Sequence, residues 1–252
     1  MVRKNLSIEI DSKYKALIVN AIQESLKRYY IQYKSEYKTK TNNGRHTITW
    51  DFINSGIDLE LPKDRFEIID CKRGIWELIL IYDKQTKWLF SLMKDKRFSQ
   101  LRKQVRKNKV HYLEALGSIN NELNTYLDQQ ITLFELQSDE RLENIENTVS
   151  SMLSMLKNEV IRYCLISFTN SYEEITSISA SIFNYNLSIQ YEESWNDYVS
   201  VDFNTIIDIV ADSKDNNDEE LEDIELPLKV NINEDIELPH KEDEKQDVQY
   251  NK

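Results

Sequence analysis

Asp70 and Lys72 stand two residues apart in "FEIIDCK", with Asp51 and Asp58 upstream. Two carboxylates on adjacent strands can hold Mg2+ while a lysine beside them orients water or stabilises charge. Arg106 and His111, five residues apart in "RKNKVH", are a second pair of residue types suited to phosphate chemistry. The other histidines, His46 and His240, complete no HxH, HExxH or His/Cys cluster, so the sequence implies no zinc. The broadest chemical signal is charge. Residues 84–111 hold ten Lys+Arg against the single acid Asp95. Such a run, with Trp88 and Phe90 on the preceding strand, is suited to phosphates and to stacking of a single strand.

Two of these patterns resemble known nucleases. Arg106 and His111 match the R-x4-H spacing of HEPN ribonucleases. That resemblance implies an imidazole that moves a proton and a guanidinium that holds the scissile phosphate of RNA. On an unbroken helix, however, residues five apart point about 140° away from each other, so only a break near Asn108 lets the pair converge. Asp70-Cys71-Lys72 resembles the second half of the PD-(D/E)xK pattern, with Asp51 or Asp58 as the other carboxylate. Where that family continues into a helix, Arg73-Gly74 turns here into another strand, "IWELILIYD".

Charge divides the chain. Residues 1–111 carry 24 Lys+Arg against 13 Asp+Glu, a net +11, and residues 112–252 carry 8 against 31, a net -23. The basic front predicts an anionic partner, RNA or single-stranded DNA, contacted through Lys94, Lys96, Arg97, Arg102, Lys103, Arg106, Lys107 and Lys109. Its intramolecular rival is the chain's own acidic end. Four glycines form no GxGxxG or GxxxxGK[ST], which excludes those two nucleotide-binding families. No apolar run approaches the ~20 residues of a bilayer span, and no apolar segment follows the basic start. With two cysteines, Cys71 and Cys164, the expectation is a cytoplasmic protein with neither a disulfide framework nor a membrane partner.

The elements that must position these residues follow from spacing. Leu17, Ile18, Ile22, Leu26, Tyr29 and Tyr33 mark a long N-terminal helix. Asn43-Gly44 reads as a turn into a strand at Ile48, Trp50 and Phe52. "RFEIIDC", "IWELILIYD" and "KWLFSLM" continue an antiparallel sheet of about four strands. From Phe98 to Gln130 the apolar stripe reads as one helix, or as two joined near Asn108, and a second stripe from Leu142 to Val160 pairs with it. Phe183 to Tyr191 alternates as a further strand.

The predicted architecture is α+β: a basic domain over residues 1–130, a helix-and-strand region over 131–211 packing on it, and a disordered acidic tail over 212–252. That tail repeats DIELPxK at a spacing of 12 residues, and Ile224, Leu226, Pro227, Ile236, Leu238 and Pro239 are the docking residues if the repeat is a tandem motif for a protein partner.

In composition, rich in Lys, Asn, Ile and Tyr, the chain resembles abortive-infection phage-resistance proteins of low-GC Gram-positive bacteria. "RGIWELILIYDKQTKWLFSLMKDKRFSQL" followed by "HYLEAL" is similar to a segment of an uncharacterised family from such bacteria and their phages. The resemblance implies antiviral defence by action on nucleic acid, without transferring a catalytic residue. Alternatives are an antitoxin or phage inhibitor that mimics nucleic acid, and a nuclease.

Overall fold

The structure, a computed structural model, describes residues 6–37, 40–41, 43–73, 76–104, 110–123 and 139–200. Its frame is one six-stranded sheet in the order β1-β2-β3-β4-β5-β6. The strands are β1 (Phe66–Arg73), β2 (Trp76–Asp83), β3 (Trp88–Lys94), β4 (Arg162–Ser171), β5 (Glu174–Phe183) and β6 (Ile189–Ser194). Neighbours pair antiparallel except β3 and β4, which run parallel in the middle, with Trp88 opposite Arg162 and Lys94 opposite Phe168. A parallel pair needs a long crossover. The chain between β3 and β4 supplies α4 (Asp95–Lys103), α5 (Tyr112–Gly117), a 3-10 turn (Ser118–Leu123) and the helix Asp139–Met152.

Both faces of the sheet are covered, and so the central strands read as apolar runs rather than alternations. On one face Ile79, Ile81, Phe90, Ile166 and Phe168 pack with Ile18, Ile22 and Leu26 of α1 (Ser12–Arg28) and with Ile53 and Ile57 of α3 (Arg45–Glu60). On the other face Leu80, Leu89, Tyr163 and Leu165 pack with Phe98, Leu101, Leu113 and Leu116 from the crossover. Each fully buried Leu, Ile or Phe contributes about 1.5–3 kcal/mol. Asn120 ties the crossover to the sheet: its amide nitrogen donates to the carbonyls of Tyr163 and Phe183, both at 2.8 Å, and its oxygen accepts from the Tyr163 amide at 3.0 Å. α1 does not stop at Arg28. It continues as a π-helical turn, Tyr29–Lys34, and the short α2 (Ser35–Tyr37).

Three expectations change. Residues 48–52 form a helix, not a strand: the alternation of Ile48, Trp50 and Phe52 is the short visible part of a 3.6-residue pattern that buries Ile53 and Ile57 against α1. Gly56 permits that approach, because a Cβ there would lie 2.0 Å from Ser25 Oγ. The strand expected over Phe183–Tyr191 is instead a hairpin, the end of β5 and the start of β6. Asn184 closes it by accepting from the amides of Asn186 at 3.0 Å and Ser188 at 3.1 Å, with Leu187 at φ 58. Finally, the strands after residue 131 do not pack on the first region but complete its sheet. The chain divides into Met1–Ala211 and Asp212–Lys252, and the second unit, with both DIELPxK copies, lies outside the described residues.

Candidate nucleic-acid interface

The strands place the cations of the basic run at two different ends of the sheet. Lys84 and Lys87 lie in the β2–β3 turn. Lys84 Nζ donates to the Lys63 carbonyl at 2.6 Å, and Lys87 pairs with Glu159 at 3.3 Å. Beside them the Arg65 guanidinium donates to the buried Asp83 carboxylate at 2.8 Å, which also accepts from the amide of Gln85 at 3.0 Å.

Lys94 stands at the other end, where β3 finishes and α4 begins. Its ammonium donates to the Asn170 side-chain oxygen and lies 4.2 Å from the centre of the Phe168 ring. Asn170 in turn donates to the Tyr172 carbonyl at 2.7 Å, and Tyr172, at φ 50 in the β4–β5 turn, meets Tyr30 edge-on at 6.1 Å. Through this series of contacts the carboxyl ends of the parallel pair join α4 to the segment that extends α1.

That segment is an aromatic ladder. Tyr29 and Tyr33 stack with centroids 5.4 Å apart at 17°, and Tyr33 meets Tyr37 at 5.2 Å and 33°. Residues four apart sit on one side of a helix, and π-helical turns interrupting an α-helix are frequent at functional sites. The ladder runs from the core to solvent: Tyr29 is buried and Tyr37 is 66% exposed. Burial raises the Tyr29 hydroxyl above its ordinary pKa, opposed by the nearby Arg45 charge and a hydrogen bond with Thr49. Exposed Arg28 and Lys40 flank the ladder.

On α4, Lys96 and Lys103 are exposed, Arg97 is half-buried, and exposed Arg102 donates through Nε to the Leu187 carbonyl at 3.2 Å while covering Phe98. Arg106, Lys107 and Lys109 lie outside the described residues. Trp88 and Phe90, expected as stacking partners, are buried at 3% and 0% exposure and belong to the core beneath α1 and α3. The sequence signal for the tyrosine ladder, which ends exposed at Tyr37, was the i, i+4, i+8 spacing of Tyr29, Tyr33 and Tyr37 among Arg28, Lys34, Lys38 and Lys40.

The two nuclease patterns acquire structural surroundings. His111 caps α5: its Nδ1 accepts from the Leu113 amide at 3.2 Å, while its own amide donates to Glu114 at 2.6 Å. An imidazole that accepts through Nδ1 carries its proton on Nε2. Glu114 also pairs with Arg141 at 3.0 Å, so His111 belongs to a buried joint between two helices. α4 ends at Lys103 and His111 is the extended N-cap of α5, while Arg106, its expected partner, lies outside the described residues.

Asp70 and Lys72 are exposed on the edge strand β1, and Lys72 pairs across to Glu77 of β2 at 2.7 Å, which raises its pKa. Asp51 is on helix α3 rather than a neighbouring strand, and Asp58 pairs with Lys63. No group of three or more His, Cys, Asp and Glu suited to a metal gathers among the described residues.

Fold and site define a mixed α+β protein with a tyrosine- and cation-lined rim at the carboxyl ends of its parallel strands. The chain belongs to DUF5986, a family of unknown function, whose model matches residues 7–248. No curated protein and no solved structure matches the chain. No described helix is long and apolar enough to cross a membrane.

Proposed function

We propose that this protein binds single-stranded nucleic acid along that rim, with bases stacked on the outer tyrosines and the backbone following the cations of α4. The observation that carries the reading is the contact chain Lys94–Asn170–Tyr172–Tyr30, which joins the start of the basic helix to the π-helical turn that carries the tyrosine ladder. Open α/β sheets bind ligands outside the carboxyl ends of their parallel strands, and the rim lies there. Aromatic platforms beside cations suit single strands, because every base has a face to stack while phosphates meet the charge.

The test is fluorescence anisotropy of labelled single-stranded RNA and DNA with the full chain and with Tyr33→Ala/Tyr37→Ala. Stacking is worth about 1–3 kcal/mol per base, so the double variant weakens binding roughly tenfold or more. Equal affinity for both proteins removes the tyrosines from the site. A nuclease reading predicts cleavage instead: loss of Mg2+-dependent cleavage in Lys72→Ala, or of EDTA-insensitive cleavage in His111→Ala, would move the site to β1 or to α5.

A further inference from the structure

The chain has three prolines, and each follows the same run of residue types. Pro227 and Pro239 close the two DIELP units of the acidic end, at residues 223–227 and 235–239. Pro62 closes a third unit, "DLELP" at residues 58–62, which differs only in having Leu59 where the others have Ile224 and Ile236. Proline occurs nowhere else in the chain, so the match is not a by-product of a proline-rich composition. The family model, over residues 7–248, spans all three copies.

The copy at 58–62 lies within the described fold, at the end of α3. Asp58, Leu59 and Glu60 are the last residues of the helix. Leu61 leaves it extended, at φ -80 and ψ 129, the conformation favoured before a proline. The Pro62 carbonyl accepts from the amides of Arg65 at 3.1 Å and Phe66 at 2.9 Å. Two residues of the copy thus serve the fold: Leu61, 1% exposed, fills the core with Ile57 and Phe66, and Pro62 stops the helix.

Leu59 does neither. It is 72% exposed, and neighbouring helix positions lie 100° apart, so exposed Asp58 and Glu60 flank it on its two sides. Asp58 also pairs with Lys63. A large apolar side chain held in water between two acids is a cost to the fold, and the same acid-apolar-acid order stands at 223–225 and 235–237.

We propose that D-(L/I)-E-L-P is a docking epitope present in three copies, and that one protein partner reads it. The partner carries an apolar socket that takes Leu59, Ile224 or Ile236, bordered by lysine or arginine side chains that meet the flanking acids. Each copy is acidic and repels phosphates, so its partner is a protein and not the nucleic acid proposed for the rim. The two copies at 223 and 235 stand 12 residues apart, at most about 40 Å of extended chain. A partner that engages both therefore presents two sockets within that reach, as an oligomer or a repeat protein does. Joint engagement of linked copies multiplies the affinity of one.

The test retains proteins from a soluble extract of the source organism on the immobilised full chain, native or carrying Leu59→Asp, Ile224→Asp/Ile236→Asp, or all three changes. Leu59 is exposed, so Leu59→Asp should leave the melting temperature within a degree or two. The expected result is a protein that a synthetic peptide of residues 222–242 elutes and the same peptide with Ile224→Asp and Ile236→Asp does not. Leu59→Asp and the double variant should each weaken its retention about tenfold or more, and the triple variant should abolish it. Retention that survives Leu59→Asp unchanged, or survives the double variant unchanged, would overturn the shared epitope. So would an extract with no protein that the native peptide alone elutes.

Discussion

The two ends of the sheet use their cations differently. At the β2–β3 turn Arg65 and Lys87 face carboxylates, Asp83 and Glu159, and Lys84 caps a backbone carbonyl. At the rim Lys94 is held by an amide oxygen and an aromatic ring, next to tyrosines that climb into solvent. The first arrangement serves the fold; the second presents charge beside stacking surface. A basic run in a sequence is therefore not a basic surface until the strands have sorted it. Here one seven-residue strand, β3, separates structural lysines from candidate ligand contacts.

Four changes break or sharpen that contrast. The largest effect falls on the turn: Asp83→Ala strands Arg65 and two turn amides and should cost about 3 kcal/mol in denaturant unfolding, while binding per folded molecule stays the same. A loss in RNA affinity without a loss in stability would reverse the assignment.

Next is alkaline stability, which separates the interior tyrosines from the rim. Burial holds the Tyr163 hydroxyl well above its ordinary 10.0, so the unfolded chain releases that proton first. The stabilisation is fully present below pH 10.0 and is lost as pH rises from there towards the folded value, by up to about 1.4 kcal/mol per pH unit. Tyr163→Phe should flatten this slope, at the cost of the 2.6 Å hydrogen bond with Ser91. An unchanged slope would mean that another group governs alkaline unfolding.

At the rim, Tyr37→Ala alone should weaken RNA binding by about 1 kcal/mol and leave the melting temperature within a degree or two, because the ring is mostly exposed. A large drop in melting temperature would make the ladder structural. The smallest effect is Lys96→Glu, in the first turn of α4. It should make the log–log salt slope of RNA binding shallower by about 0.7 for each phosphate the side chain neutralises, and shift stability by less than ~0.5 kcal/mol.

Long elements with one period were legible in the sequence: α1 from its uninterrupted stripe, and β1, β2 and β3 from runs bounded by turn residues. α3 was not, because Ile48, Trp50 and Phe52 fit both a period of 2 and a piece of a helix, and only the close approach of Gly56 to α1 decides between them. The β5–β6 hairpin hid behind a single alternation because its turn is made by the Asn184 side chain rather than by Gly or Pro.

For the site, charge sign and segment were legible, and the ends of the sheet were not. Lys84 and Lys94 look equivalent along the chain until β3 places them at opposite ends. Tyr29 and Tyr33 show in the sequence as members of the apolar stripe of α1, and spacing alone does not tell which end of a helix leaves the interior.

The central claim is that the rim and not the turn end binds nucleic acid, and one measurement tests it most directly. Labelled single-stranded RNA is titrated at two salt concentrations with the full chain, with Tyr37→Ala/Lys96→Glu at the rim, and with Lys84→Ala/Lys87→Ala at the turn. The account predicts salt-sensitive binding that the rim variant loses roughly tenfold and the turn variant keeps. Binding lost only in the turn variant, or absent from the native chain at low salt, would contradict it.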